Sequence, residues 1–198
     1  AGAQQFRSVA ERFVGVSKER GVTWGLIRSI VVCPARFNAL LDRWDNKAVV
    51  LSLSLTQLLQ HNANPDEGAE PVSVFVDKHG GRNTYAAVLQ QAYPEGVIIA
   101  REEGKDRSVY QLEGGRRPVE LTFQPRADAT HFCVALASMV SKYLREVLML
   151  EFNAFWQTHL PDLKPTAGYP TDAQRFLDAI RPVLAKLGIA EAAVWRRK

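Results

Sequence analysis

Two aspartates stand where strands hand over to helices. Asp77 closes the apolar run VSVFVD and is followed by Lys78, His79, Gly80 and Gly81, while Asp128 lies in RADATHF, just ahead of a long helical pattern. If both junctions reach one edge of a sheet, the two carboxylates share a site. A pair about 4 Å apart repels by roughly 4 kcal/mol at an effective dielectric of 20, so it needs a shared proton or a divalent cation. Hard carboxylate oxygens select Mg²⁺ or Mn²⁺, and paired ions of this kind stabilise both the attacking and the leaving oxygen in phosphodiester cleavage. Beyond Asp128, Ser138, Ser141, Lys142 and Arg145 fall on one helical face, kept small by Ala135 and Ala137, and such a face suits phosphate. A local reading competes: Asp77 ends a strand and Asp128 caps a helix.

Other candidates are weaker. His61, His79, His131 and His159 are scattered without zinc spacing. Glu102, Glu103 and Asp172 are the carboxylates to consider if a metal site needs a further ligand. In GYPTDA, Tyr169 sits between Gly168 and Pro170 among small neighbours, which favours a stacking platform over a core plug. Tyr143, Phe152, Phe155 and Trp156 recur at helical spacing and are expected in the core, as is Trp44. Lys78, Arg82, Arg116 and Arg117 are candidate phosphate contacts on loops.

The elements that must position these residues follow from periodicity and punctuation. Residues 4–20 read as a helix with Phe6, Val9, Phe13 and Val16 on one face; residues 22–34 (VTWGLIRSIVVCP) read as a strand; residues 35–61 read as helix. HNANPDEGAEP is a loop. VSVFV reads as a buried central strand that delivers Asp77 to its C-terminal end, the edge where open α/β sheets gather ligands. A short helix in RNTYAAVLQQAYP precedes three strands, GVIIARE, RSVYQLE and PVELTFQP, with hairpin turns at GKD and GGRRP. The long helix spans about 130–157, its apolar face formed by Val140, Leu144, Val147 and Leu148. The final helix opens with Thr171 and Gln174 at capping-box spacing.

Composition bounds the rest. The 198 residues, 46% hydrophobic, suffice for one α/β domain over residues 1–198. A net charge of +4 and a pI near 9.2 are compatible with a polyanionic partner without requiring one. Cys33 and Cys133 form neither a metal motif nor a disulfide framework, which suits a reducing, cytoplasmic compartment. No apolar run is long enough to span a bilayer, so no membrane partner is expected.

Three segments, VSVFVDKHGGRNTYAAVLQQAYP, RADATHFCVALASMVSKYLRE and GYPTDAQRFL, occur in the order and near the spacing found in type 2 ribonucleases H. The chain resembles that family, most closely its archaeal and eukaryotic branch, loosely over residues 22–198 and well over 72–176. The resemblance implies a ribonuclease H-like α/β fold with a mixed central sheet flanked by helices. It also implies a Mg²⁺- or Mn²⁺-dependent endonuclease, a hydrolase of RNA in RNA/DNA hybrids and at ribonucleotides embedded in duplex DNA. By that match Asp77 and Asp128 resemble two of four catalytic, metal-binding carboxylates. Lys142 matches the family's helix lysine, beside Ser138, Ser141 and Arg145 as substrate contacts, and Tyr169 matches the tyrosine that stacks on the sugar at the RNA/DNA junction. The family's opening strand with its Asp-Glu pair and Gly-Arg-Gly loop has no counterpart before residue 72, so the N-terminal strands are missing from the match. The chain therefore reads as the C-terminal portion of the family domain. Residues 97–118 form an inserted hairpin in it; a nuclease-inactive descendant that binds nucleic acid or protein, and a different metal-dependent enzyme on the same fold, are the alternatives.

Overall fold

The computed structural model describes the backbone of residues 2–197 and the side chains of residues 7–197; Phe6 lies outside the described side chains. It is an α/β fold around a four-stranded, mixed, open sheet flanked by helices. Helices α1 (Gly2–Glu19), α2 (Pro34–Trp44) and α3 (Lys47–Asn62) precede strand β1 (Val72–Asp77) and helix α4 (Ala86–Ala92). Strands β2 (Val97–Glu103), β3 (Ser108–Glu113) and β4 (Val119–Gln124) follow. A 3-10 turn (Ala127–Ala129) then leads into helices α5 (Phe132–His159), α6 (Pro170–Leu187) and α7 (Glu191–Val194). The sheet order is β1-β4-β3-β2, with β1 parallel to β4 and both other pairs antiparallel.

Alternation in the strands gives the sheet two different faces. Val72, Val74 and Val76 of β1, Val119, Leu121 and Phe123 of β4, and Tyr110 and Leu112 of β3 pack with Leu55 and Leu59 of α3 and Val88 and Leu89 of α4. The intervening positions, Ser73, Phe75 and Asp77 on β1 and Glu120, Thr122 and Gln124 on β4, address the other face. A second core gathers Phe152 and Trp156 of α5, Leu163, and Phe176, Leu177, Ile180 and Leu184 of α6. The 28-residue α5, about 42 Å long at the α-helical rise, joins the sheet to this second core. The tail docks on α2, where Asn38 Nδ2 donates to Ala192 O and Trp195 O at 3.0 and 2.8 Å.

Several expectations are corrected. Residues 22–33 form no strand despite their β-branched composition, because strand propensity needs a partner ladder and, among the described residues, β1 pairs with β4 alone. For the same reason VSVFVD is an edge strand, half-buried rather than central. The helix expected over residues 35–61 is two helices: Asp45 adopts a left-handed φ of 45° as the α2 C-cap, and the Asn46 side chain caps α3 through Ala48 N at 2.9 Å. Pro34, expected to close a strand, opens α2 at the first helical turn, where its missing N–H is harmless. The Thr171–Gln174 capping box is absent, since Tyr169 is the N-cap of α6 and Gln174 instead bonds Asp178. Trp44 (47% exposed), Tyr143 (68%) and Phe155 lie at the surface, leaving only Phe152 and Trp156 of that set in a core. Val147 and Leu148, assigned to the apolar face of α5, are exposed as well, since neither belongs to either core. Among the described residues no helix is long and apolar enough to cross a membrane.

Candidate functional site

β1 and β4 are parallel neighbours, so both end at one edge of the sheet. Asp77 is the last residue of β1 and is the register partner of Gln124, the last residue of β4, across a strand spacing of about 4.8 Å. The chain then turns sharply. Arg126 takes a left-handed φ of 55°, Ala127 is fully buried, and the 3-10 turn holds Asp128 outward and exposed, four residues beyond Gln124. Two contacts brace that turn. Gln124 Nε2 donates to Thr130 Oγ1 at 2.7 Å, and the His131 ring stacks on Phe75 at 3.9 Å with 17° between planes. Since Phe75 precedes Asp77 by two residues on the same strand face, this stack ties the Asp128 turn to the end of β1. Asp77 is likewise exposed.

The loop after Asp77 is fastened to the sheet by a chain of hydroxyls. His79 N donates to Tyr85 Oη at 3.0 Å, Tyr85 N donates to Tyr110 Oη at 2.7 Å, and Tyr110 Oη donates to the Glu103 carboxylate. Tyr85 stacks on Phe123 at 3.8 Å. Burial, helped by the hydrogen bond to Glu103, pushes the Tyr110 hydroxyl up to about 12; burial also raises Tyr85. The His79 imidazole is pulled below its ordinary value, first by burial and then by the Arg82 charge. Its Nδ1 is buried and finds no hydrogen-bond partner among the described residues.

Three of the four candidate loop cations are committed within the fold, and Arg116 is exposed without a bond among the described residues. Lys78 Nζ donates to Gly104 O, to Ser108 Oγ at 3.1 Å and to Asn83 Oδ1 at 3.4 Å, which clamps the Asp77 loop to the β2–β3 turn. Arg82 donates to Ser52 Oγ at 2.8 Å and Arg117 to Asn64 O at 3.0 Å. The reserve carboxylates are engaged too. Glu102 pairs with Arg107 at 2.8 Å, Glu103 accepts from Tyr110, and Asp172 pairs with Arg175 at 2.7 Å. Arg175, seconded by the Thr166 hydroxyl, holds the Asp172 carboxyl down at about 2. β2 is three strands from β1, so Glu102 and Glu103 lie roughly 14 Å from Asp77 by strand spacing alone. Among the described residues no three His, Cys, Asp or Glu side chains come together as metal ligands.

On α5, Ser138 and Arg145 are half-buried while Ser141 and Lys142 are exposed. Tyr169, 58% exposed, carries the Arg145 guanidinium 4.7 Å from its ring centroid. Arg145 and Tyr169 are thus brought together, beside the second core. The sequence reading overlooked Asn153, whose carboxamide bonds the backbone of Thr166 in the Tyr169 loop. Its signal in the sequence is an amide at helical spacing from Met149 and Trp156 and next to Phe152. No protein-family model matches the chain, and no curated protein or solved structure matches it.

Proposed function

We propose that the chain is a ribonuclease H-type, nucleic-acid-binding domain whose substrate is an RNA/DNA hybrid or duplex DNA containing ribonucleotides. In this reading Asp77 and Asp128 are the ligands for Mg²⁺ or Mn²⁺. Ser138, Ser141, Lys142 and Arg145 face the phosphates, and Tyr169 stacks beside the ribonucleotide. One observation carries it: the Asp77–Gln124 register and the Phe75–His131 stack bring the two aspartate-bearing turns to one sheet edge. Two exposed carboxylates suit a hard cation that retains most of its water. Bound there, the metal would polarise a phosphate oxygen; the chain's part is to present the two carboxylates on braced turns. Two ligands do not fix a cation for in-line displacement, so the chain alone is expected to bind its substrate and cleave it poorly.

The experiment is a melting series with and without Mn²⁺, alongside cleavage of a DNA duplex bearing one ribonucleotide. At Mn²⁺ tenfold above its Kd, linkage stabilises the wild type by about 1.4 kcal/mol. Asp77→Asn and Asp128→Asn should each abolish that increment. A Mn²⁺ response in both variants equal to that of the wild type sinks the metal site. Robust Mg²⁺-dependent cleavage that Asp77→Asn removes would instead reveal a further carboxylate in the site. The second reading, a nuclease-inactive binder, is favoured by the engagement of Glu102, Glu103 and Asp172 elsewhere, and it requires binding of the same duplex with no metal response at all.

A further inference from the structure

Asn153 is a buried amide with all its bonds inside the protein. Its Nδ2 donates to Met149 O at 2.8 Å, one turn back along α5, and to Thr166 O at 2.9 Å; its Oδ1 accepts from Thr166 N at 2.9 Å. One side chain thereby satisfies both backbone groups of Thr166, as a neighbouring strand would. Two residues on, Gly168 N donates to Thr166 Oγ1 at 3.0 Å, and Gly168 has a φ of +72°, a left-handed turn that aims the next residue outward. Arg145 closes the loop from the opposite side by donating to Ala167 O, and Arg175 Nη2 donates to Lys164 O and Pro165 O at 3.1 and 3.2 Å. What this bracing displays is an exposed ring, Tyr169, under the Arg145 guanidinium. A loop held only for stability would turn its aromatic residue into the adjacent core of Phe152, Trp156 and Phe176; here the ring stays out.

We infer that Asn153 is the positioning residue of a preassembled stacking surface, formed by Tyr169 and Arg145, for the sugar or base of a nucleotide next to a phosphate. The inference rests on the nucleic-acid reading above. A ring already fixed on its loop loses little freedom on binding, so most of the stacking energy is available for affinity. The guanidinium over it, paired with Glu146 at 3.2 Å, supplies a second flat surface.

The test is a thermodynamic cycle with Asn153→Ala, Tyr169→Ala and the double variant. Binding is read by fluorescence anisotropy in metal-free buffer on a DNA duplex with one embedded ribonucleotide and on its all-DNA counterpart. Each single variant should reduce the preference for the ribonucleotide duplex by about 5-fold or more. The double variant should lose no more than Tyr169→Ala alone, because Asn153 acts through that ring. Losses that multiply in the double variant, or a preference retained in Asn153→Ala, overturn the positioning role. A wild type without any preference overturns the nucleic-acid reading itself, which is a distinguishable result. If Asn153→Ala does not fold, Asn153→Asp carries the same cycle, since it keeps the acceptor for Thr166 N and loses the donor to Thr166 O.

Discussion

Replacing Tyr110 by Phe removes one oxygen from the centre of the hydroxyl chain that fastens the Asp77 loop. Tyr110 is fully buried, and its ring meets Phe123 edge-on at 6.0 Å, so the substitution leaves packing unchanged and opens no cavity of consequence. Two bonds disappear: Tyr85 N to Tyr110 Oη at 2.7 Å, and Tyr110 Oη to the Glu103 carboxylate. Glu103 is exposed and regains water, so its share of the loss is small. Tyr85 is fully buried, and its N–H is left in the core without an acceptor, at a cost of about 1–3 kcal/mol. That cost sets the total, which for a chain of this size lowers Tm by roughly 2–12 °C. Urea unfolding with an unchanged m-value and a lowered midpoint is the assay, because an unchanged slope shows that the same surface is exposed. Because Tyr85 also accepts from His79 N, hydrogen exchange should rise through residues 78–85. A midpoint equivalent to within about 0.5 kcal/mol of the wild type would refute the reasoning, since that is the level of a neutral surface change.

Three further outcomes follow from the same geometry. Tyr93 and Tyr110 are both pushed up to about 12, chiefly by burial; the folded state then holds these protons more tightly than the unfolded chain, so their contribution is intact below pH 10 and disappears as pH rises through 12. Asp172, depressed to about 2 by Arg175, contributes above its unfolded value of 3.8 and ceases to as pH falls toward 2; pH-dependent melts of Tyr93→Phe and Asp172→Asn check the two limbs. Lys78→Ala should speed hydrogen exchange in the β2–β3 turn while leaving the salt dependence of nucleic-acid binding unaltered; a log–log slope shallower by about 1 would make Lys78 a phosphate contact after all. Tyr169→Ala loses an exposed cation–π contact of about 0.5–1 kcal/mol and should melt within a few degrees of the wild type, yet weaken action beside an isolated ribonucleotide by about 5-fold to 150-fold; equal losses on continuous hybrids would return Tyr169 to packing.

Local signals in the sequence determined most of the elements. Period-2 runs punctuated by Gly and Pro located β2, β3 and β4, and the 3.6-residue period located α5 and α6, because alternation and helical spacing are properties of short segments. The same signals put Asp77 at a strand end and Asp128 ahead of α5. Partnership was decided only in three dimensions. Residues 22–33 have the composition of a strand and no ladder, and VSVFVD, apolar enough for a central strand, lies at an edge, since composition records what a residue can bury and not which neighbour arrives to cover it. Exposure of Tyr143, Phe155 and Trp44 has the same origin. The commitments of Lys78 to Gly104 and Ser108, of Tyr110 to Glu103, and of Asn153 to Thr166 span 26, 30, 7 and 13 residues. Such bonds join groups whose spacing carries no period, so a polar side chain's partner is set by the packing of whole elements and is settled by the tertiary structure alone.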